Sequence, residues 1–146
     1  MPNHCYQTVT VEGPFDMVQH LARELARGRF CDAVLPMPLE VRKDPEGWYN
    51  WRNSHWETKW DVCDVEGIEA SHDPDKIHHP TPATSQVSFR CWTAWGPPVP
   101  VWDELVRIGC TVSADYVCEM GNFEGEYFQG VNRSWIPEEQ PETFDA

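Results

Sequence analysis

The sequence predicts an α+β domain in which helices cover one face of an antiparallel sheet. Five segments of the 146-residue chain alternate apolar and polar residues as strands do, and two others have the apolar spacing of amphipathic helices. Their order is strand, helix, strand, strand, helix, strand, strand. A chain of this length can bury about 70% of its unfolded surface, so we expect one domain with its own core.

The first strand and the first helix have the clearest patterns. Residues 4–12, HCYQTVTVE, alternate and are rich in β-branched side chains, which favours a half-buried strand. Gly13 and Pro14 interrupt the strand, and Pro14 suits the first turn of a helix. Gly28 is expected to end that helix, whose apolar residues are Phe15, Val18, Leu21, Ala22 and Leu25.

The middle of the chain has weaker patterns. Residues 30–39, FCDAVLPMPL, contain Pro36 and Pro38, so we predict an extended connector rather than a central strand. Residues 59–65 alternate and are predicted to form the second strand. Residues 66–85 contain three prolines and three histidines and are predicted to form a long loop, which would be functional or mobile.

The C-terminal half returns to regular patterns. We predict a strand at 86–94, a short helix at about 100–108, and strands at 111–119 and 124–131 joined by the turn MGNFEG. The sequence after residue 136 is PEEQPETFDA, whose composition favours disorder. The expected organisation is therefore one domain at 1–136 and an acidic, disordered tail at 137–146.

The charge of the chain is strongly negative. It contains 24 Asp and Glu against 11 Lys and Arg, for a net charge of -13. Direct binding to nucleic acid is disfavoured, because phosphate contacts need Lys and Arg. Such a charge either keeps the protein in solution or steers it toward a partner with a basic surface.

The six cysteines never form a close pair in the sequence. The N-terminal residues also lack the apolar run of a signal peptide, so we predict reduced, mostly buried thiols in a cytoplasmic protein. No apolar run approaches the roughly 20 residues that a membrane span needs.

The densest aromatic and polar chemistry lies at 48–62, WYNWRNSHWETKWDV. In a functional interpretation its rings form a platform for a planar group, and its basic side chains bind a phosphate or carboxylate. In a structural interpretation the same rings cap one end of the core. The candidate binding residues, including two outside the stretch, are Trp48, Trp51, Arg52, His55, Trp56, Lys59, Trp95 and Glu119.

Catalysis and metal binding have little support in the sequence. An enzyme would use Glu119 or Asp115 as a base near Lys59 or His55, but no recognisable catalytic spacing is present. We therefore predict no catalytic residues, cofactor or metal. The side chains considered for a metal, whose spacing matches no zinc motif, are His72, His78 and His79 with Cys63 or Cys91.

Several short motifs along nearly the whole chain resemble one family, the YubB-type ferredoxin-like domain of phage and plasmid proteins. They are the opening Met1-Pro2-Asn3, L-P-M-P at 35–38, W-Y-x-W-R at 48–52, W-x-T-K-W-D at 56–61, T-A-W-x-P-P at 93–98, Tyr116, Glu119 and Gly121, and F-x-G at 128–130. One departure is Glu57, at a position where glycine is expected. The resemblance implies a ferredoxin-like βαββαβ core with an added strand and two helices on one face, an origin on a mobile element, and no established activity.

These observations together predict a non-enzymatic accessory protein of a phage or mobile element in the cytoplasm of a host bacterium. Its expected role is to bind and inhibit a host complex with a basic surface that handles nucleic acid or serves defence, as an anti-CRISPR protein does. The alternative is a small-molecule or nucleotide-binding protein that uses the tryptophan-rich stretch. Exposed sheet edges could also pair two copies into a homodimer.

Overall fold

The computed structural model describes residues 4–72, 84–119 and 123–136 of the chain. Within this part, the helices are α1 (Phe15–Ala26), α2 (Phe30–Val34), α3 (Leu39–Arg42), α4 (Gly47–His55) and α5 (Val99–Arg107). The strands are β1 (His4–Gly13), β2 (Cys63–His72), β3 (Ser85–Ala94), β4 (Thr111–Cys118), β5 (Phe123–Phe128) and β6 (Val131–Trp135). No helix among these residues is long and apolar enough to cross a membrane.

The six strands form one antiparallel sheet in the order β2-β3-β1-β4-β5-β6. Helix α1 packs against β2 and β3, and α5 packs against β4. The α+β class and the antiparallel sheet are confirmed.

The two faces of the sheet differ sharply in burial. Along β1, Val9 and Val11 are fully buried with the residues of α1 and α5, whereas Tyr6 and Thr8 point to the opposite side and are exposed. The same alternation continues in β3 and β4. The helices therefore cover one face, and we call the other side the open face.

The prediction of two helices is wrong, because the described residues form five. The predicted connector at 30–39 contains α2 and the start of α3. Pro36 and Pro38 lie between these two helices. Proline suits this position because a helix begins readily just after a proline. The N–H groups of Cys31 and Asp32 at the start of α2 donate to Asp61, a distant acceptor that local patterns do not reveal.

The boundaries of β2 and of the last strands also differ from the prediction. Strand β2 begins at Cys63 and includes 66–72, which were assigned to a loop; residues 73–83 lie outside the described part. Two register shifts in β2 interrupt its alternation, so the sequence does not show that the strand continues beyond Val65. The predicted strand at 124–131 ends at Phe128 as β5, and a turn at Gln129 and Gly130, both with positive φ, leads to β6, most of which lies beyond the prediction. The tail at 137–146 also lies outside the described residues.

The prediction that all cysteines are reduced is wrong for one pair. Cys5 on β1 and Cys118 on β4 face each other in the sheet and form a disulfide, with their Cα atoms 4.0 Å apart. The free cysteines are Cys31, Cys63, Cys91 and Cys110. Strand pairing brings together two residues 113 positions apart, so their spacing in the sequence carries no sign of it.

Candidate functional site

The tryptophan-rich stretch forms α4 and the turn that leads to β2, and part of it is firmly structural. Trp56 is only 1% exposed, and its indole N–H donates to the carbonyl of Leu35 at 2.8 Å. The buried hydroxyl of Thr58 accepts the N–H of Ala94 at 3.0 Å and thereby ties the turn to the end of β3. Trp56 thus ties the end of α4 to the segment after α2, and Thr58 ties the following turn to β3.

Arg52 and Lys59 lie against the aromatic rings of this stretch. The guanidinium carbon of Arg52 is 5.1 Å from the ring centres of both Trp48 and Trp56. The ammonium of Lys59 lies 5.6–5.9 Å from the ring centres of Tyr49, Trp60 and Trp95. The chain's own cations thus cover ring faces on which a ligand would have stacked.

The structure brings seven of the eight predicted site residues into one group. His55 stacks on Trp51 at 4.3 Å, and Trp51 contacts Trp56 edge to face. Glu119 is separate from this group: it lies just after β4 and pairs with His4 at 3.4 Å. We call the connected side chains the tryptophan cluster; they are Trp48, Tyr49, Trp51, Arg52, His55, Trp56, Lys59, Trp60 and Trp95.

The backbone conformation of Glu57 explains why glycine is expected at its position in the motif W-x-T-K-W. Its φ is 61°, in the left-handed region that glycine adopts most easily. A glycine at this position, as the resemblance implies for the family, would fit the turn without strain.

Replacement of Arg52 tests whether the cluster stabilises the fold. Arg52→Ala is expected to lower the free energy of unfolding by about 1–3 kcal/mol, because it removes two cation–π contacts and the packing of the side-chain stem. Arg52→Lys is expected to recover only part of the loss, since a compact ammonium cannot cover both rings. Urea unfolding measures both variants. The control Arg23→Ala, on the exposed side of α1, is expected to change stability by less than about 0.5 kcal/mol; an equally small effect of Arg52→Ala would contradict the structural role.

Asp61, at the end of the stretch, is a partly buried carboxylate that organises the backbone. It accepts N–H groups from Cys31 at 2.7 Å, Asp32 at 2.9 Å and Val62 at 2.7 Å. Burial raises the pKa of Asp61 above its usual value of 3.8, although the three N–H groups oppose this shift. Asp61 therefore has a structural role, and it does not pair with Arg52.

The raised pKa of Asp61 predicts a pH dependence. The folded protein holds the proton of Asp61 more tightly than the unfolded chain does, so this contribution to stability is present at low pH and is lost as the pH rises through the raised pKa. The free energy of unfolding of wild type minus that of Asp61→Asn is therefore expected to fall as the pH rises from about 4. Urea unfolding of both proteins across pH measures this difference, and a rise over the same range would show that the N–H groups dominate.

Side chains on the open face form rows that cross the strands, and three of these rows contain Tyr6, Thr8 and Thr10 of β1. The first row is Trp92, Tyr6, Val117, Glu124 and Trp135. The second is Glu66, Arg90, Thr8, Asp115, Glu126 and Arg133, and the third is Glu69, Ser88, Thr10, Ser113, Phe128 and Val131. A row that is aromatic and apolar except for Glu124 thus lies beside a row that is charged except for Thr8.

Two shallow cavities lie on this face. The larger, of about 780 Å³, extends from β2 to β4 over Tyr6 and Thr8, with Trp92, Arg90 and Asp115 around them. The smaller, of about 460 Å³, lies over β4, β5 and β6. Neither is lined by residues of the tryptophan cluster.

The open face is strongly acidic. Its described strands and their ends carry eight carboxylates, at Glu12, Asp64, Glu66, Glu69, Asp115, Glu119, Glu124 and Glu126. They carry two guanidinium groups, and both are already paired: Arg90 with Glu66 at 3.6 Å and Arg133 with Glu126 at 3.3 Å. Most of the net negative charge of the described residues therefore lies on this one surface.

Aromatic contacts connect the tryptophan cluster to the open face. Trp60 lies 6.0 Å from Trp92, and Trp92 lies 4.1 Å from His4, measured between ring centres. The indole N–H of Trp92 donates to Asp64 at 2.6 Å, which fixes the ring at the edge of the larger cavity. The tryptophan cluster thus contacts the open face at one end, through Trp60 and Trp92.

Tyr6, Arg90, Trp92 and Asp115 were not among the predicted binding residues. Strand alternation places each of them on one side of its strand, but it does not show which side the helices cover or which strands are neighbours. The residues weighed for catalysis do not meet: Lys59 lies among rings, His55 stacks on Trp51, and Glu119 pairs with His4.

Metal binding has no support in the part of the chain that the structure describes, where no three His, Cys, Asp or Glu side chains converge. His78 and His79 lie outside that part. Comparison with known proteins found no family model, no curated protein and no solved structure that matches the chain significantly.

Proposed function

We propose that this protein works by binding a positively charged surface of another protein through the open face of its sheet. The observation that carries the proposal is the excess of carboxylates on that face, where both guanidinium groups already have carboxylate partners. Clustered charge of one sign speeds the approach of an oppositely charged partner and selects against partners of like charge.

Exposed apolar side chains on the same face supply the contacts that hold a partner after encounter. Tyr6, Val117, Phe128 and Val131 are 47–60% exposed, and none is covered by the described part of the chain. Aromatic residues surrounded by polar ones are frequent sources of binding energy in protein interfaces. Charge would then govern the rate of association, and these side chains the lifetime of the complex.

The class of partner follows from the charge. Proteins that handle nucleic acid present Lys and Arg for phosphates, and a sheet face rich in carboxylates competes for the same groups. Inhibition of a host nucleic-acid-handling or defence complex is therefore the role we propose, on behalf of a phage or other mobile element. The cellular origin rests on the sequence resemblance alone.

A ferredoxin-like core is part of the same proposal. What supports it is the connectivity of β1, α1, β2, β3, α5 and β4, which follows the βαββαβ pattern, together with the antiparallel order β2-β3-β1-β4. Strands β5 and β6 would then extend this core at one edge and widen the open face.

The nucleotide-binding alternative gains less from the geometry. Arg52 and Lys59, which would have bound the phosphate, lie against the rings that would have stacked on the base. A nucleotide would have to displace these contacts. Denaturation of the purified protein is therefore expected to release no ultraviolet-absorbing ligand.

The proposal is tested by capture of a partner on the immobilised protein from a bacterial host lysate at low and high salt. We expect a protein with a basic surface to be retained at about 50 mM salt and largely released at about 500 mM, because salt screens charge contacts. Purified partner then has to bind in the absence of nucleic acid. Retention of no protein at either salt concentration would contradict the proposal.

A further inference from the structure

We propose that the larger cavity on the open face binds the guanidinium group of an arginine side chain on the partner. This inference rests on the proposed function and names the group that the face recognises. The cavity combines an aromatic wall with a carboxylate that has no cationic partner among the described residues, and those are the two features that bind a guanidinium.

The aromatic wall consists of Tyr6 and Trp92, which face each other across β1 and β3. Tyr6 is 47% exposed. Trp92 is held in place by its hydrogen bond to Asp64 and by the ring of His4 at 4.1 Å. Rings fixed before the ligand arrives bind it with a smaller loss of entropy.

Asp115 supplies the carboxylate. It lies opposite Thr8 and diagonally across from Tyr6, on the β4 side of the cavity. Within residues 4–72, 84–119 and 123–136, no cation lies within ion-pair distance of Asp115, whereas Glu66, Glu119 and Glu126 each have a partner. Asp115 is therefore available to a group from outside the chain.

Arg90 also lines the cavity, but its charge is directed toward β2. It pairs with Glu66, and its guanidinium lies over Gly67, where an added Cβ would come within 3.1 Å of its Nη2 atom. Asp115 lies on the other side of Thr8, on β4. The cavity as a whole presents three carboxylates, Asp64, Glu66 and Asp115, against this one guanidinium.

An arginine fits this arrangement better than a lysine. A guanidinium is planar, stacks on aromatic rings and can donate two parallel hydrogen bonds to one carboxylate. Arg52 of this chain already lies against two tryptophan rings, with its guanidinium carbon 5.1 Å from the centre of each. A lysine ammonium can make the charge contact but not the stacked, two-point contact.

The test is titration of the protein with three capped tripeptides, Gly-Arg-Gly, Gly-Lys-Gly and Gly-citrulline-Gly, followed by the NMR signals of the tryptophan indole N–H groups. The Trp92 signal is assigned with Trp92→Phe. We expect it to move with the arginine peptide at a dissociation constant of about 1 mM, about threefold less tightly with lysine, and not at all with citrulline, which lacks the charge. Equal binding of the arginine peptide and either other peptide would overturn the assignment.

Three variants locate the site. Asp115→Asn and Tyr6→Ala are each expected to weaken binding of the arginine peptide about tenfold. Both positions are exposed, and circular dichroism checks that the variants are folded. The matched control is Glu12→Gln, on the same strand and face as Tyr6 but about 20 Å along β1, and it is expected to leave binding unchanged. Unchanged binding in Asp115→Asn would overturn the proposal.

The two proposals fail in different ways. If a basic partner is captured but the arginine peptide does not bind, the open face is still an interface, but the proposal of an arginine site is wrong. If the arginine peptide binds and no partner is captured, the cavity is a guanidinium site and the proposed function is wrong.

Discussion

Reduction of the disulfide between Cys5 and Cys118 is expected to lower the free energy of unfolding by about 4 kcal/mol. The two residues are 113 positions apart, and closing so long a loop removes much of the conformational entropy of the unfolded chain. They face each other on neighbouring antiparallel strands, and the N–H of Glu119 donates to the carbonyl of His4 at 3.1 Å beside them. This places the cysteines at a non-hydrogen-bonded pair, where the strands come closest.

Urea unfolding with and without dithiothreitol measures this effect. The control is the double variant Cys5→Ser, Cys118→Ser, whose stability the reductant is expected to leave unchanged. Alkylation of the denatured, unreduced protein should label only the free cysteines, at 31, 63, 91 and 110. Labelling of all six cysteines would contradict the disulfide.

Trp56→Ala is expected to lower the free energy of unfolding by about 3–5 kcal/mol, because it leaves a large cavity at the junction of α4 with the core. Its side chain is only 1% exposed and contacts Trp51. Trp56→Phe is expected to cost less, about 1–2 kcal/mol, since it keeps most of the volume but leaves the carbonyl of Leu35 without its donor.

The control for Trp56 is Trp95→Ala. Trp95 is 40% exposed, so its replacement is expected to lower the free energy of unfolding by about 1 kcal/mol or less. Urea unfolding compares the three variants. If Trp95→Ala and Trp56→Ala destabilise the protein equally, the distinction between the buried and exposed parts of the cluster is wrong.

The sequence predicted the elements whose residue pattern lies within a few neighbouring residues, and it missed those that depend on residues far away in the chain. Helices α1 and α5 were predicted because their apolar spacing lies within a few turns. Helix α2 was missed because its first N–H groups are satisfied by Asp61, about thirty residues away. The part of β2 at 66–72 was missed because register shifts break its alternation. The disulfide depends on strand pairing, which no local pattern shows.

The parts of the candidate site also differ in how far the sequence could predict them. Most of the tryptophan cluster was predictable because its aromatic and basic residues lie close together in the sequence, at 48–60. Arg52 lies four residues after Trp48 on α4, a contact that helical spacing allows. The position of Lys59 against the rings was not predictable, because it depends on how the turn after α4 folds back. The open face could not be predicted, because the sequence does not show which side of the sheet the helices cover. Its charged row also takes one residue from each of six strands.

The central claim is that the open face, rather than net charge alone, binds the partner. Its most direct test compares two triple variants that remove the same charge. One removes carboxylates of the open face, Glu12→Gln, Glu69→Gln and Asp115→Asn; the other removes exposed carboxylates of the helices and the turn before α4, Asp16→Asn, Glu40→Gln and Glu46→Gln.

The measurement is the dissociation constant of the captured complex at low salt for wild type and both variants. We predict that the open-face variant weakens binding by about a hundredfold, and the helix-side variant by less than about threefold, because charges remote from a partner are screened. Equal weakening by the two variants, or a stronger effect of the helix-side variant, would contradict the account.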